Sequence, residues 1–438
     1  MPENQNIEWK ESWRDEYLKW ICGFANAIGG KIYIGKNDKG ENVGINNPKK
    51  LMEDIPNKIL SHLGILCDVN LQGNGDCYII EISVDAYSNP INYKGHYHYR
   101  SGSTMQELKG AALNKFLLRK QGQSWDSVPV PNISVDDLDK NAFNVFRKKS
   151  FRSGRIDEEV LQDSNLSLLE NLDLVEGAYL KRACVLLFHS KQEKFFLGSY
   201  VKIGFFESDD DLRYQDEVHG HLFNQIEKTL DLLKTKYLKA FIRYEGASRI
   251  EEFVFPEPAF REALLNAIAH KDYSSTTPIQ IRVYEDKLII WNEGQLPDEW
   301  TIENLIEPHP SKPFNPLIAN ALFRVGYIEA WGRGTINIRK ECRKYHLPAP
   351  KFNSRFSGLV VEFYKHTVNS LKSLGLNDSY ITIVLFVQEK GKITNTEVQD
   401  ICKVSKRTAS RYLLELEDLF FKKKGETGKG TFYTLKGP

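Results

Sequence analysis

The chain has 438 residues, with 41% hydrophobic residues, 27% charged residues and a formal net charge of +1. That composition suits a globular protein of about two to four domains, at roughly 100–200 residues each, and it excludes a globally basic polyanion binder, so contact with nucleic acid must use a local patch. No apolar run reaches the roughly 18 residues of a membrane span, and "MPENQNIEWKESWRDEY" lacks the apolar core of a secretion signal, so a cytosolic protein without membrane contact is expected.

Residues 1–120 alternate between helical and strand patterns. "DEYLKWICGFANAIGG" places Leu18, Ile21, Cys22 and Ala25 on one stripe and stops at Gly29-Gly30. "KIYIGKNDKGENVGI" reads as strand, polar turn, strand, and "GDCYIIEISV" as a further strand. "GHYHYRSGSTMQEL" reads as a strand, a turn and a helix started by Ser103 or Thr104. His96 and His98 there lack a nearby third metal ligand. "SWDSVPVPNISVDD" carries two prolines among polar residues and reads as a linker, placed at 123–139.

Beyond it, "RACVLLFHS" and "SYVKIGFFES" read as strands and "HLFNQIEKTLDLLKTKYL" as an amphipathic helix. "PEPAFREALLNAIAHKDYSS" is a helix with Phe260, Leu264, Ala267 and Ile268 on its apolar face. Glu262, Asn266 and His270 form a second stripe at four-residue spacing on its flank. "PIQIRVYEDKLIIWNEG" is a hairpin turning at "EDK", with apolar residues alternating in strand fashion. From about Ser370 the pattern changes to short helices and a terminal hairpin. The six cysteines are scattered without a CxxC pair, so neither a structural metal nor a disulfide framework is expected.

The string Ile7–Ile45, with Glu8, Lys10, Glu11, Phe24–Asn26, Gly29, Gly30, Gly35, Asp38, Gly40 and Gly44 at matching positions, is similar to the AlbA-like domain of Schlafen-type proteins. The resemblance covers about the first 120 residues and implies nucleic-acid contact, RNA included. Some Schlafen relatives cut RNA with a carboxylate cluster. Glu3, Glu8 and Asp38, with Lys10 beside them, are the residues that would form one here around a divalent ion.

The segment "FREALLNAIAHKDYSS", with "WNEGQLP" and "LFRVGYIEAWGRGTINIRKEC", resembles the carboxyl-terminal ATPase-like domain of RecG-related regulators, a diverged GHKL (histidine-kinase-like) fold. With "RACVLLF" and "YVKIGFF" the match spans roughly 140–366, its motifs falling in 257–340. Lys271 replaces the family's arginine, and Gln295 stands where relatives have a second glycine. The resemblance implies ATP and Mg²⁺ as ligands. Glu262 would be the general base and Asn266 a magnesium ligand, while His270 and Asp272, at the helix exit, would orient the site or simply cap it. Asn292 would accept from adenine beside Gly294. Gly332, Arg333 and Gly334 would lie against phosphate at the start of a helix. Oxygen atoms one helical turn apart suit both jobs assigned to Glu262 and Asn266. The same pair also reads as a structural polar stripe. No G-x-x-x-x-G-K-[ST] phosphate loop is present, so no motor helicase follows.

Residues 372–438 fit a winged helix: a helix over about Asn395–Cys402, a turn at Lys403-Val404, and a second helix N-capped by Ser405. Val404, Thr408, Tyr412, Leu413 and Leu416 are expected to face inward. That leaves Lys406, Arg407, Ser410 and Arg411 outside, as on a recognition helix. A hairpin follows with Lys422, Lys423, Lys424 and Lys429 on its wing. From Leu371 onward there are twelve Lys and Arg against eight Asp and Glu.

The fold class expected is therefore α/β (α+β) multidomain: an AlbA-like α/β domain (1–122), the linker, a GHKL-like α/β sandwich (140–366) and a winged helix-turn-helix. The function expected is an ATP-binding transcriptional regulator that contacts double-stranded DNA, homo-oligomeric by family analogy. The competing reading is an enzyme, either a nucleic-acid-dependent ATPase of weak activity or a metal-dependent RNase in a defence role.

Overall fold

The computed structural model describes residues 3–74, 77–238, 240–245, 248–297, 300–329, 331–345, 347–424 and 431–435. The chain divides into two compact units, Met1–Trp125 and Asp126–Pro438.

The first unit runs β1 (Ile7–Lys10), α1 (Leu18–Asn26), β2 (Gly30–Ile34), α2 (Pro48–Leu63), β3 (Asp68–Asn74), β4 (Cys77–Val84), β5 (His98–Ser101), β6 (Thr104–Glu107) and α3 (Gly110–Lys120). Four strands form one sheet in the order β1-β2-β4-β3, with β1 parallel to β2 and the other pairs antiparallel. Ile21, Phe24 and Ala25 of α1 and Ile55, Ile59 and Leu63 of α2 pack on Ile32, Ile34, Ile80 and Ile82 of the sheet. Asn26 makes the exit of α1 specific: its buried amide donates to the Ile91 and His98 carbonyls and accepts from the Ile91 N–H.

Three local features differ from the pattern of the sequence. The spacing of α2 is obscured by Pro56, which sits inside the helix. Thr104–Glu107 is a strand paired with β5, and the next helix starts only at Gly110. After β2 the polar turn closes through a single bridge, Lys36 to Asn42, without a second strand.

The second unit begins where a linker was expected, and that stretch is built into the fold. Asp126 is fully buried, and its Oδ2 accepts from the N–H groups of Leu317 and Ile318, at 2.8 and 3.1 Å. β7 (Pro129–Val130) pairs with a later strand, and Ser134 with Asp137 closes a capping box. The polar, proline-containing composition reflects caps and turns, not a free tether. There follow α4 (Lys140–Ser153), α5 (Glu158–Gln162), α6 (Asn165–Asn171), β8 (Val175–Glu176), β9 (Tyr179–Lys181) and α7 (Arg182–Phe188). Strand β9 is the partner of β7. Helix α7 was expected as a strand. Ala183 to Phe188 are all fully buried, and a short run apolar on every side has no period that separates strand from helix.

Next come β10 (Val201–Phe206), β11 (Leu212–Val218), α8 (Leu222–Leu232), β12 (Ala240–Glu245), β13 (Ser248–Phe253), α9 (Glu257–His270), β14 (Ile279–Val283), β15 (Lys287–Glu293), α10 (Pro316–Arg324), α11 (Gly334–Lys344), β16 (Lys351–Arg355) and β17 (Gly358–Tyr364). Six of these strands form a sheet in the order β11-β10-β14-β15-β17-β16, where only β10 and β14 are parallel. Val201, Ile203, Ile279, Ile281, Leu288 and Ile290 line its buried face, against which α8 and α9 lie. Phe143, Phe146, Phe188 and Phe223 join α4, α7 and α8 in one aromatic cluster.

The tail holds α12 (Val368–Ser373), α13 (Asp378–Lys390), α14 (Asn395–Cys402), α15 (Lys406–Leu419) and the pair β18 (Phe421–Lys424) and β19 (Phe432–Leu435). Ile383, Val384, Val387, Val398, Ala409, Leu413, Leu416 and Phe421 are its core.

Candidate functional site

Helix α9 buries Phe260, Ala263, Leu264, Ala267 and Ile268, which leaves Glu262, Asn266 and His270 half-buried on its flank. Burial pushes the Glu262 carboxyl above its ordinary range, against the pull of Arg261. Burial, with His309 nearby, pulls the His270 imidazole down to about 4. Lys271 is fully buried, its Nζ donating to the carbonyls of Thr277 at 2.6 Å and Asp272 at 3.2 Å. Asn315, at the start of α10, donates to the Ala269 and Lys271 carbonyls and so pins the end of α9.

The structure brings Glu262, Asn266 and Gly334 together. A Cβ on Gly334 would lie 2.5 Å from Glu262 Oε1 and 2.7 Å from Asn266 Nδ2. Helix α11 thus seats on α9 at Gly334, with the side-chain ends of Glu262 and Asn266 against it. Gly332 has φ +64°, and a Cβ on it would lie 2.1 Å from the His309 carbonyl oxygen. At the other end of the stripe, a Cβ on Gly294 would lie 2.6 Å from the His270 carbonyl, with the buried Asn292 amide beside it. Asn292 Nδ2 donates to the Glu293 carbonyl at 3.2 Å. Arg333 points outward, exposed, and makes no side-chain cap to α11.

His309 and Asn315 went unrecognised in the sequence as parts of this site. His309 and Asn315 lie far along the chain from the motif helix, and no local pattern marks them. A cleft of about 440 Å³ opens beside Gly294, walled by Gln295, Trp300, Thr301, Ser354 and Ser357, and neither Glu262 nor Asn266 lines it.

ATP with Mg²⁺ suits this site in donor chemistry. The Glu262 carboxylate and the Asn266 amide stand one turn apart, and backbone without a Cβ faces them at Gly334. The departure is at Asn292, whose amide is buried among the chain's own groups.

In the first unit Glu8 and Arg100 are buried and paired, Nη1 to Oε2 at 2.7 Å, and Lys10 also pairs with Glu8. Arg100 lies over the rings of Trp20 and Phe24. Glu3 accepts from the Trp9 N–H at 2.9 Å and lies 4.0 Å from Lys10. The expected carboxylate cluster of Glu3, Glu8 and Asp38 is therefore not assembled. Glu8 is neutralised by two cations, and among the described residues no three His, Cys, Asp or Glu side chains are grouped to hold a metal ion.

In the tail, Ser405 caps α15, its hydroxyl accepting from the Thr408 N–H. Ala409, Leu413 and Leu416 turn inward, with Val404 and Tyr412 half-buried at the edge. The buried stripe therefore centres on Ala409, where Thr408 was expected. Lys406, Arg407, Ser410 and Arg411 are exposed, as are Lys422 and Lys423 of β18, while Lys424 is half-buried. Ser410 Oγ accepts from Asn395 at 2.8 Å, and Arg411 lies 3.8 Å from Glu415. Lys429 falls outside the described residues. Among those residues, no helix is long and apolar enough to cross a membrane.

Residues 3–109 match the family described as "Schlafen, AlbA_2", and residues 276–363 match the family described as "Putative ATP-dependent DNA helicase recG C-terminal". The second match begins after α9, so Glu262, Asn266 and His270 precede it. Among solved structures, the chain is similar to the DIP2311 protein from Corynebacterium diphtheriae, at 16% identity over 98% of this chain and 92% of that one, with a TM-score of 0.46. It is also similar to the N-terminal domain of a putative ATP-dependent DNA helicase RecG-related protein from Nitrosomonas europaea. That likeness is at 23% identity over 24% of this chain and 82% of that one, with a TM-score of 0.18. No curated protein matches the chain. The chain is a multidomain α/β protein in which a Schlafen-type AlbA-like domain precedes a RecG-related ATPase-like domain.

Proposed function

We propose that the protein is a DNA-binding transcriptional regulator whose tail is a winged helix that reads duplex DNA. The observation that carries this reading is α15. Its N-terminus is capped by Ser405, its inner face is fixed by Ala409, Leu413 and Leu416, and its first two turns present Lys406, Arg407, Ser410 and Arg411 to solvent. Phosphate contacts position a protein on a duplex, and base contacts specify the sequence. Lys422 and Lys423 are exposed point charges on a strand and suit phosphates. Arg407 and Arg411 stand one turn apart on the helix, where a guanidinium pairs bidentately with guanine.

The ATPase-like domain binds ATP with magnesium in this reading. Asn266 would hold the ion through its amide oxygen. Bound ATP would supply a phosphoanhydride for hydrolysis. Glu262 would take the proton of a water molecule, and its raised pKa strengthens it as a base. Calorimetric titration with ATP and magnesium should give binding that Asn266→Ala abolishes; no heat with the intact chain would remove the nucleotide from this account.

For the reader itself, duplexes enriched from a random pool by the intact protein provide a cognate site. Arg407→Ala should lose discrimination between cognate and scrambled duplexes, by about 1–3 kcal/mol for one bidentate contact. Unchanged discrimination would take α15 out of the major groove.

A further inference from the structure

Helix α11 is seated on the candidate site by one face and open on the other. Ile338 and Cys342 are buried, Gly334 lies against Glu262 and Asn266, and Thr335 and Arg339 reach the carbonyls of Leu305 and Ile306. At 100° per residue, Arg333, Asn337, Lys340 and Lys344 fall on one narrow stripe opposite Ile338 and Cys342. Arg333, Lys340 and Lys344 are exposed, as is Arg343 at the stripe's margin.

Residues 331–345 carry five cations, Arg333, Arg339, Lys340, Arg343 and Lys344, against one carboxylate, Glu341. Glu341 pairs with Lys344 at 2.6 Å. Among the described residues, Arg333, Lys340 and Arg343 have no ion-pair partner. In a chain of net charge +1 this is a concentrated positive stripe. At its amino-terminal end Trp331 is 74% exposed. A large indole held in water is unusual for a residue type that is highly buried on average.

We propose that this face of α11, with Trp331, binds single-stranded nucleic acid. Cations in a row track a phosphate backbone, and an exposed aromatic ring offers a stacking surface that an unpaired base can use and a paired base cannot. Lys340 and Lys344 lie about 6 Å apart along the helix axis, so one strand following the helix meets both and then the indole. The surface is separate from the tail and does not depend on it. Because its helix begins at Gly334, the strand would lie on the outer side of the element that closes over Glu262 and Asn266.

The test uses the full chain and three fluorescently labelled probes, each of about twenty nucleotides: oligo-dT, oligo-U and a duplex. The variants are Lys340→Glu with Lys344→Glu, Trp331→Ala, and the charge-conserving Lys340→Arg with Lys344→Arg. The intact protein should bind at least one single-stranded probe, and preference between dT and U tells DNA from RNA as the source. Charge reversal should cost at least about tenfold in that affinity and should flatten its salt dependence by about 0.7 log–log units for each phosphate no longer neutralised. Trp331→Ala should cost about 5- to 150-fold, the worth of one stacked base. The arginine pair should bind as the intact protein does, and duplex affinity should stay within about twofold throughout. Failure of the intact chain to bind either single strand would overturn the proposal, as would charge reversal that weakens duplex and single strand alike. Loss of duplex binding in tail variants has no bearing on these outcomes, so the two readings fail separately.

Discussion

Gly332→Ala separates two accounts of the "WGRGTINI" glycines. If Gly332 exists to admit phosphate, alanine there is harmless to the ligand-free protein. The structure requires the opposite. At φ +64° an L-residue is strained, by about 1–2 kcal/mol. The new Cβ would also lie 2.1 Å from the His309 carbonyl oxygen and 3.0 Å from its Nδ1. The carbonyl is backbone and cannot swing aside as a side chain does, so the 309 and 332 segments must part, at the roughly 1–3 kcal/mol typical of overpacking. The expected cost is thus about 2–5 kcal/mol. At about 2–4 °C per kcal/mol for a large domain, calorimetry should show the transition of the second unit falling by at least about 4 °C. Gly334→Ala is the control. Its clash is with the side-chain ends of Glu262 and Asn266, which can move, so its stability cost should be at most about 1 kcal/mol. A Gly332→Ala protein as stable as the parent would refute the packing argument and restore the phosphate one.

Other consequences are as direct. Glu8→Gln should destabilise the first unit by about 3–5 kcal/mol, because it strands the buried Arg100; an unchanged melting profile of that unit would contradict the pairing. Asp126→Ala should cost about 1–3 kcal/mol by leaving the N–H groups of Leu317 and Ile318 without their acceptor, with Asp126→Asn intermediate by denaturant titration. His270 titrates near 4 in the folded chain against 6.5 ordinarily, so the unfolded state binds the extra proton first. Its contribution to stability is complete above pH 6.5 and is lost as pH falls from 6.5 toward 4, by up to about 3 kcal/mol. His270→Gln should flatten that part of the stability–pH curve, and an identical slope in the variant would show that the imidazole is not enclosed.

What was legible in the sequence was local. The helix of Glu262 and Asn266, the β14–β15 hairpin and the Ser405 cap follow from period and turn chemistry within about fifteen residues. What escaped depends on partners far away in the chain. Asp126 caps a helix 191 residues later, which no reading of "SWDSVPVP" could supply. The motif places Gly334 at a helix start suited to an anion, but not beside Glu262 and Asn266, whose side chains face it only in the folded chain. Glu8 has the look of a metal ligand in the sequence, yet Arg100, distant along the chain, occupies its other oxygen. Helix α7 escaped because a run buried on every side carries no amphipathic signal.

The central claim, that the tail grips duplex DNA through its basic hairpin and helix, is tested most directly by the salt dependence of duplex affinity. The full chain and its Lys422→Ala, Lys423→Ala, Lys424→Ala triple variant would be compared by fluorescence anisotropy on one duplex across a salt series. The account predicts weaker binding of the variant to every duplex and a log–log slope reduced by about 0.9 for each phosphate no longer neutralised. Equal affinity and equal slope for the two proteins would contradict it, and would place the DNA contact outside the tail.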